Sequence, residues 1–156
     1  MTTVAYRDGV IVADSMITVG NEKRYINNKV FSTKFFVVGV SGEIAYIPAI
    51  KKWLEENEAD FTDINQMLKA YDSSPIKDKD IGLLLVDRNR KIYMSRNGEH
   101  FIPIKGPFET LGSGGDYARG AMAAGMTAED AVKVARKYDP YTGGRLHKAY
   151  TSQLCS

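Results

Sequence analysis

The sequence predicts an α+β fold in which two antiparallel sheets pack together with helices outside. β-rich segments come in pairs joined by turn dipeptides. The strongest is Asp8-Gly9 between residues 2–6 and 10–13, because both turn residues tolerate positive φ. Strand pairs and helix pairs alternate along the chain. No repeat, low-complexity stretch or linker interrupts it, so a single domain over residues 1–156 is expected.

The remaining strands follow from apolar runs bounded by turn residues. They are predicted at residues 29–33, 35–40, 81–86, 91–95, 100–104 and 145–151. The run at 81–86 is continuously apolar and indicates a strand buried on both faces. Residues 16–28 are less regular and receive no assignment.

Four segments have helical patterns. In residues 43–58, Ile44, Ile47, Ile50 and Leu54 form an apolar stripe at helical spacing. A second helix is predicted at 63–71 and a third, rich in alanine, at 116–124. The fourth ends near residue 138 and begins at the sequence TAED (127–130), which resembles a capping box.

Composition excludes several classes of function. The net charge of +2 and the scattered basic residues argue against nucleic acid and anionic membranes as partners. No apolar run is long enough to span a bilayer, and no secretory signal is visible. The single cysteine, Cys155, indicates a reducing, cytoplasmic compartment. His100 and His147 lack metal-ligand spacing, so no metal site is expected.

Thr2 is the candidate nucleophile. A threonine hydroxyl needs a base, and an N-terminal threonine carries one in its own α-amine. The reference pKa of that amine is near 8, and a nearby lysine ammonium would lower it and favour the neutral form. The chemistry also needs a carboxylate to hold the lysine and a backbone N–H to stabilise an oxyanion.

The sequence offers a candidate for each part. They are Asp14, Lys29, Gly42, Ser113, Asp139 and Thr142. Taken singly, each has a more ordinary explanation as a surface charge, a turn residue or a helix entry. The loop GSGG (112–115) also suggests a phosphate-binding turn, but Tyr117 replaces the third glycine of GxGxxG.

Five stretches in order change this interpretation: TTVAYRDGVIVADS, NKVF, VSGEIA, LGSGGDYA and DPYTGG. Together they resemble the proteasome β-subunit/HslV-like family over residues 2–144. The resemblance implies an Ntn-hydrolase with a four-layer αββα sandwich and a threonine-type endopeptidase activity. It implies that Thr2 is the nucleophile, with its amine as the base, and that the site is active only once Met1 is removed.

The resemblance also implies roles for the other candidates. Lys29 would tune the amine and Asp14 would pair with Lys29. Gly42 would donate its N–H to the oxyanion, and Ser113 would relay a proton near the amine. Asp139 and Thr142 match a loop that orders the site, with threonine where serine is commoner.

Family position further suggests a substrate-binding pocket. Val40 falls where proteasome subunits select the P1 side chain, with Phe31 and Ile17 expected nearby. These residues predict an apolar P1 preference.

The implied partners are further copies of the chain in hexameric or heptameric, stacked rings, an ATP-dependent unfoldase, and unfolded polypeptide substrates. The resemblance implies no cofactor for the chemistry and leaves a structural monovalent cation open. Two alternatives remain: a catalytically inactive ring subunit that retains Met1, and an Ntn-amidohydrolase acting on a small amide.

Overall fold

The computed structural model describes residues 2–61 and 64–155. Its strands are β1 (Val4–Arg7), β2 (Val10–Ala13), β3 (Met16–Val19), β4 (Glu22–Tyr25), β5 (Val30–Ser32), β6 (Phe36–Gly42), β7 (Ile81–Asp87), β8 (Ile92–Ser95), β9 (Ile102–Ile104), β10 (Phe108–Leu111) and β11 (His147–Tyr150). Its α-helices are α1 (Ile47–Asn57), α2 (Ile64–Tyr71), α3 (Gly115–Ala123) and α4 (Ala128–Tyr138). Short 3₁₀ turns cover Ile44–Tyr46, Glu58–Asp60 and Thr151–Gln153.

The strands form two antiparallel sheets and a separate ribbon. The first sheet has the order β10-β1-β2-β11, the second has the order β5-β6-β7-β8-β9, and β3 pairs with β4. The hairpin between β1 and β2 turns at Asp8 and Gly9, whose φ angles are 51° and 82°. Both values are positive, so the turn predicted from the Asp-Gly dipeptide is confirmed.

Three apolar clusters separate four layers. The cluster between the two sheets combines residues such as Val4 and Ile11 with Val37, Leu84 and Val86. A second cluster joins the second sheet to α1 and α2 through residues such as Val38, Leu83, Ile50 and Met67. A third joins the first sheet to α3 and α4 through residues such as Ala5, Val12, Met122 and Val132. The predicted αββα sandwich is confirmed.

The continuous apolar run of β6 has a direct explanation in these layers. Val38 and Val40 face the helices of the second sheet, whereas Val37, the residue before Val38, faces the first sheet. A strand covered on both faces favours apolar side chains at successive positions. The same holds for β7, where Leu83 and Leu84 enter different clusters.

The helices begin and end close to the predicted positions. The stripe predicted at 43–58 becomes a 3₁₀ turn followed by α1, which has Pro48 in its first turn, where a missing N–H costs nothing. Thr127 caps α4 by accepting a hydrogen bond from the Asp130 amide at 3.2 Å. The start predicted for α2 at Asp63 lies outside the described residues. Within those residues, no helix has the length and apolarity needed to cross a membrane.

Three strands were not predicted. β3 and β4 lie within residues 16–28, where the sequence has no regular apolar pattern, and β4 is exposed along its whole length. β10 is the edge strand of the first sheet and pairs with β1 from Val4↔Leu111 to Arg7↔Phe108. The predicted last strand at 145–151 is shorter, because Thr151 begins a 3₁₀ turn.

Candidate active site

The antiparallel order brings the predicted site residues to one end of the sandwich. In the first sheet, β1 and β11 begin at the end where β2 and β10 stop. Thr2, Asp14 and Ser113 therefore lie at that end. In the second sheet, β5 begins where β6 stops, which places Lys29 near Gly42.

Asp14 and Lys29 form a buried ion pair. The Lys29 Nζ lies 3.0 Å from Asp14 Oδ1, and the two side chains are 1% and 0% exposed. Lys29 also donates to the Met16 carbonyl. Burial lowers the pKa of the Lys29 ammonium, and the Asp14 carboxylate offsets part of that effect by favouring the charged form. This contact is the one that the family resemblance implied.

Asp14 is held by backbone donors as well as by the lysine. Its Oδ1 accepts from the Thr3 amide and its Oδ2 from the Gly143 amide, both at 3.0 Å. The Gly143 carbonyl accepts in turn from the amides of Ser15 and Met16. The carboxylate therefore locks the start of β1 and the end of the 139–143 loop into one arrangement.

Asp139 is the second carboxylate of the site. Its Oδ2 accepts from the Ser113 hydroxyl at 2.7 Å and from the Thr142 hydroxyl at 2.6 Å, and its Oδ1 accepts from the Tyr141 amide at 3.1 Å. Burial would raise the pKa of this carboxyl, but the three donors outweigh that effect and hold the pKa below its ordinary value. Ser113 also approaches the Thr2 carbonyl at 3.5 Å.

The depressed pKa of Asp139 makes a prediction about stability. A carboxyl with a lower pKa in the folded state stabilises the protein above its unfolded pKa, and this stabilisation is lost as the pH falls through the folded value. Between about pH 5 and about pH 3, urea unfolding should show a steeper loss of stability for the wild type than for Asp139→Asn. Asp8→Asn, at an exposed carboxylate, is the control. Identical pH slopes for wild type and Asp139→Asn would contradict the prediction.

The GSGG loop packs directly on the start of the chain. Gly112 has a φ of +91°, and a Cβ there would lie 1.9 Å from the Thr2 carbonyl oxygen. At Gly114 a Cβ would lie 1.9 Å from Thr3 Oγ1. These glycines therefore allow the loop to approach Thr2 and Thr3, which explains their presence without a phosphate ligand.

We expect Gly112→Ala to destabilise the protein more than Gly125→Ala. Both glycines have positive φ, +91° and +103°, but a Cβ at Gly125 meets nothing within 4 Å. Gly125→Ala should therefore cost only the backbone strain of about 1 kcal/mol, whereas Gly112→Ala adds a clash with Thr2. Urea unfolding at neutral pH measures both. Equal losses of stability in the two variants would show that the loop moves to accommodate a Cβ at residue 112 without a further cost in free energy.

A cleft of about 470 Å³ opens beside Thr2. Gly42, Ser113 and Arg96 are among the residues that line it, together with Glu109 of the edge strand β10. Gly42 ends β6 and lines this cleft, which is compatible with the predicted contact of its N–H with an oxyanion. Another cavity of about 340 Å³ is lined by Phe35, Phe61 and Cys155, and no predicted catalytic residue lines it.

The structure places the three predicted specificity residues apart from this cleft. Val40 is fully buried in the cluster beneath α1, Phe31 packs against the same cluster, and Ile17 is half-buried on β3. None of them is among the described residues that line the cleft beside Thr2. The predicted P1 pocket stays a prediction.

Two features of the site were missed. Thr3 is fully buried, and its hydroxyl lies 2.6 Å from that of Thr142. Gly143 contributes a donor to Asp14. Among the described residues, no three metal-ligating side chains converge.

Comparison with known proteins gives matches in structure only. No protein-family model and no curated protein sequence matches the chain. Eukaryotic HslV from Trypanosoma brucei matches with a TM-score of 0.73 and 17% identity, over 95% of this chain and 97% of that one. Thiobacillus denitrificans BPH in complex with epoxomicin matches with a TM-score of 0.68 and 18% identity, over 95% and 96%. A second structure of Thiobacillus denitrificans BPH matches with a TM-score of 0.67 and 18% identity, over 95% of this chain and 95% of that one. Nearly the whole chain thus has the proteasome-like fold, the fold of HslV.

Proposed function

We propose that the protein is an N-terminal-threonine peptidase of the proteasome/HslV type. The observation that carries the proposal is the buried Asp14–Lys29 pair at the start of β1, next to Thr2 and a cleft. The Asp14 carboxylate is already held by the amides of Thr3 and Gly143, so the fold does not need a buried ammonium to hold it. A charge placed to act on the neighbouring threonine gives that pair a use.

The first step is activation of Thr2. The α-amine of Thr2 takes the proton of its own hydroxyl, directly or through a water molecule. A charged Lys29 lowers the pKa of that amine and keeps it neutral, and Asp14 keeps Lys29 charged against the effect of burial. Ser113, fixed by Asp139, passes the proton towards the leaving group.

The second step is acyl transfer. Thr2 Oγ1 attacks the peptide carbonyl carbon, and the Gly42 N–H donates to the oxyanion. Collapse breaks the C–N bond, and the departing amine takes the proton. Water then gives one proton to the α-amine and adds to the acyl ester, and the amine passes that proton to the departing Thr2 oxygen, which releases the carboxylic acid and restores the Thr2 hydroxyl and the neutral amine. The protein requires no cofactor for these steps.

The mechanism depends on cleavage between Met1 and Thr2. While Met1 is attached, the nitrogen of Thr2 is an amide and cannot serve as a base. Met1 lies outside the described residues. If Met1 is retained, the protein is an inactive ring subunit. The presence or absence of Met1 therefore distinguishes this alternative from the peptidase.

The burial of Thr2 bears on the substrate and the assembly. Thr2 is 1% exposed, so an extended segment of unfolded polypeptide can reach it more readily than a folded surface. Assembly into stacked hexameric or heptameric rings, substrate delivery by an ATP-dependent unfoldase, and a cytoplasmic location belong to the same proposal. The likeness to HslV supports them through the fold alone.

Intact-mass measurement and labelling with epoxomicin test the proposal together. Purified protein should have the mass of residues 2–156, and epoxomicin, which is bound in the BPH structure, should add its mass to the N-terminal peptide. Hydrolysis of an unfolded protein should stop in the labelled enzyme. A retained Met1 with no label and no hydrolysis would favour the inactive subunit. Hydrolysis of small amides with no cleavage of peptides would favour the amidohydrolase.

A further inference from the structure

Two carboxylate clusters flank the start of β1, and one residue contacts both. The amide of Thr3 donates to Asp14 Oδ1 at 3.0 Å, and its hydroxyl lies 2.6 Å from the hydroxyl of Thr142. Thr142 in turn contacts Asp139. Thr3 has no exposed surface, so its position is set by these contacts and by packing.

The direction of the hydrogen bonds follows from the number of protons. Asp139 is a carboxylate whose pKa is held low by its donors, so its oxygens accept. Thr142 has one hydroxyl proton, and it goes to Asp139 Oδ2 at 2.6 Å. The Thr142 oxygen therefore accepts the proton of Thr3, and Thr3 is the first donor of the chain.

The same carboxylate oxygen receives Ser113. The Ser113 hydroxyl donates to Asp139 Oδ2 at 2.7 Å, so Ser113 and Thr142 share one acceptor atom. Losing the donor to Thr142 removes one of the two hydrogen bonds of the Thr142 hydroxyl and weakens one of the three that Asp139 accepts. Hydrogen bonds in such a chain polarise one another, so the effect extends to Ser113.

We propose that Thr3 is a positioning residue of the peptidase. Its hydroxyl fixes the Thr142–Asp139–Ser113 chain while its amide fixes Asp14 beside Lys29. Thr3 itself touches neither substrate nor the reacting atoms. It holds the Ser113 hydroxyl and the Asp14–Lys29 ion pair at fixed positions relative to Thr2, the residue before it. This inference rests on the proposed peptidase activity.

Two substitutions at one position test the role. Thr3→Val keeps the shape of the side chain and removes the donor, and Thr3→Ser keeps the donor. Thr3→Val should lower kcat about five- to tenfold with KM within about twofold, because one net hydrogen bond is lost from the relay. Thr3→Ser should restore kcat to within about twofold of the wild type.

Thr33→Val is the matched control. Thr33 is another buried threonine whose hydroxyl donates to a buried carboxylate, that of Glu58. It lies just before β6 begins, whereas Gly42 lies where β6 ends. This variant should lower the Tm and leave kcat unchanged at 25 °C. A kcat for Thr3→Val equal to that of the wild type, or a loss that Thr33→Val reproduces at equal Tm, overturns the positioning role.

A measurement without turnover separates this inference from the function on which it rests. By NMR, the Thr142 hydroxyl proton should exchange slowly with water in the wild type and faster in Thr3→Val. Unchanged exchange overturns the hydrogen-bond chain even in an active enzyme. A processed wild type that hydrolyses no peptide overturns the peptidase and the positioning role, whatever the exchange of Thr142 shows.

Discussion

Thr2→Ala is expected to lower kcat/KM for peptide hydrolysis by about 10⁴-fold or more, because no other group replaces an absent nucleophile. The fold should persist, since alanine is smaller and Thr2 interacts with the GSGG loop through its carbonyl. Thr2→Ser keeps a hydroxyl on the same residue and should retain measurable turnover. Assays of a fluorogenic peptide by the processed enzymes give both values.

The control for Thr2→Ala is a threonine that stabilises the fold elsewhere. Thr127 caps α4, and Thr127→Ala should cost about 1 kcal/mol of stability with no change in kcat/KM at 25 °C. If Thr2→Ala hydrolysed peptides as fast as Thr127→Ala, Thr2 would not be the nucleophile.

Lys29→Met is expected to have the largest effect on stability and also to lower activity. Removing the ammonium leaves Asp14 charged, 0% exposed and without its ion-pair partner. Breaking a buried pair in this way costs about 3–5 kcal/mol. The amine of Thr2 also loses the charge that favours its neutral form, so acylation should slow severely.

The double variant Lys29→Met/Asp14→Asn separates these two effects. Without a charge on either side chain, unfolding in urea should show that most of the lost stability returns, because no unpaired charge remains buried. Activity should stay as low as in Lys29→Met. Recovery of turnover in the double variant would mean that Lys29 acts through the fold and not through its charge on the Thr2 amine.

The core strands were predictable because their patterns are local. The apolar runs of β6 and β7 need no tertiary information, and neither does the Asp8-Gly9 turn. The ribbon of β3 and β4 has no such pattern, since residues 22–25 are all exposed and gain order from pairing with β3. β10 was missed because its four residues include the charged Glu109. The structure accommodates Glu109 there because β10 is the edge strand of the first sheet.

The candidate site was predictable as a set and not in its connections. Motif order placed Asp14 and Lys29 together, and the structure pairs them at 3.0 Å. Single residues gave no sign that Thr3 links Asp14 to Thr142, because that link depends on the position of a loop more than 130 residues away. The P1 residues depend on which face of β6 meets the substrate, and the sequence alone does not specify this.

The place of β1 inside the first sheet has a consequence for synthesis. β1 pairs with β2 on one side and with β10 on the other, and residues 8–107 separate β1 from β10. At ribosomal rates of about 5–20 residues per second, several seconds pass between the synthesis of β1 and that of its second neighbour, β10. During that interval the bond between Met1 and Thr2 is accessible to an aminopeptidase. After the first sheet is complete, Thr2 is buried. Under the proposed mechanism, removal of Met1 is therefore favoured before β10 is synthesised, and a chain that kept Met1 would lack the α-amine that Thr2 needs as its base.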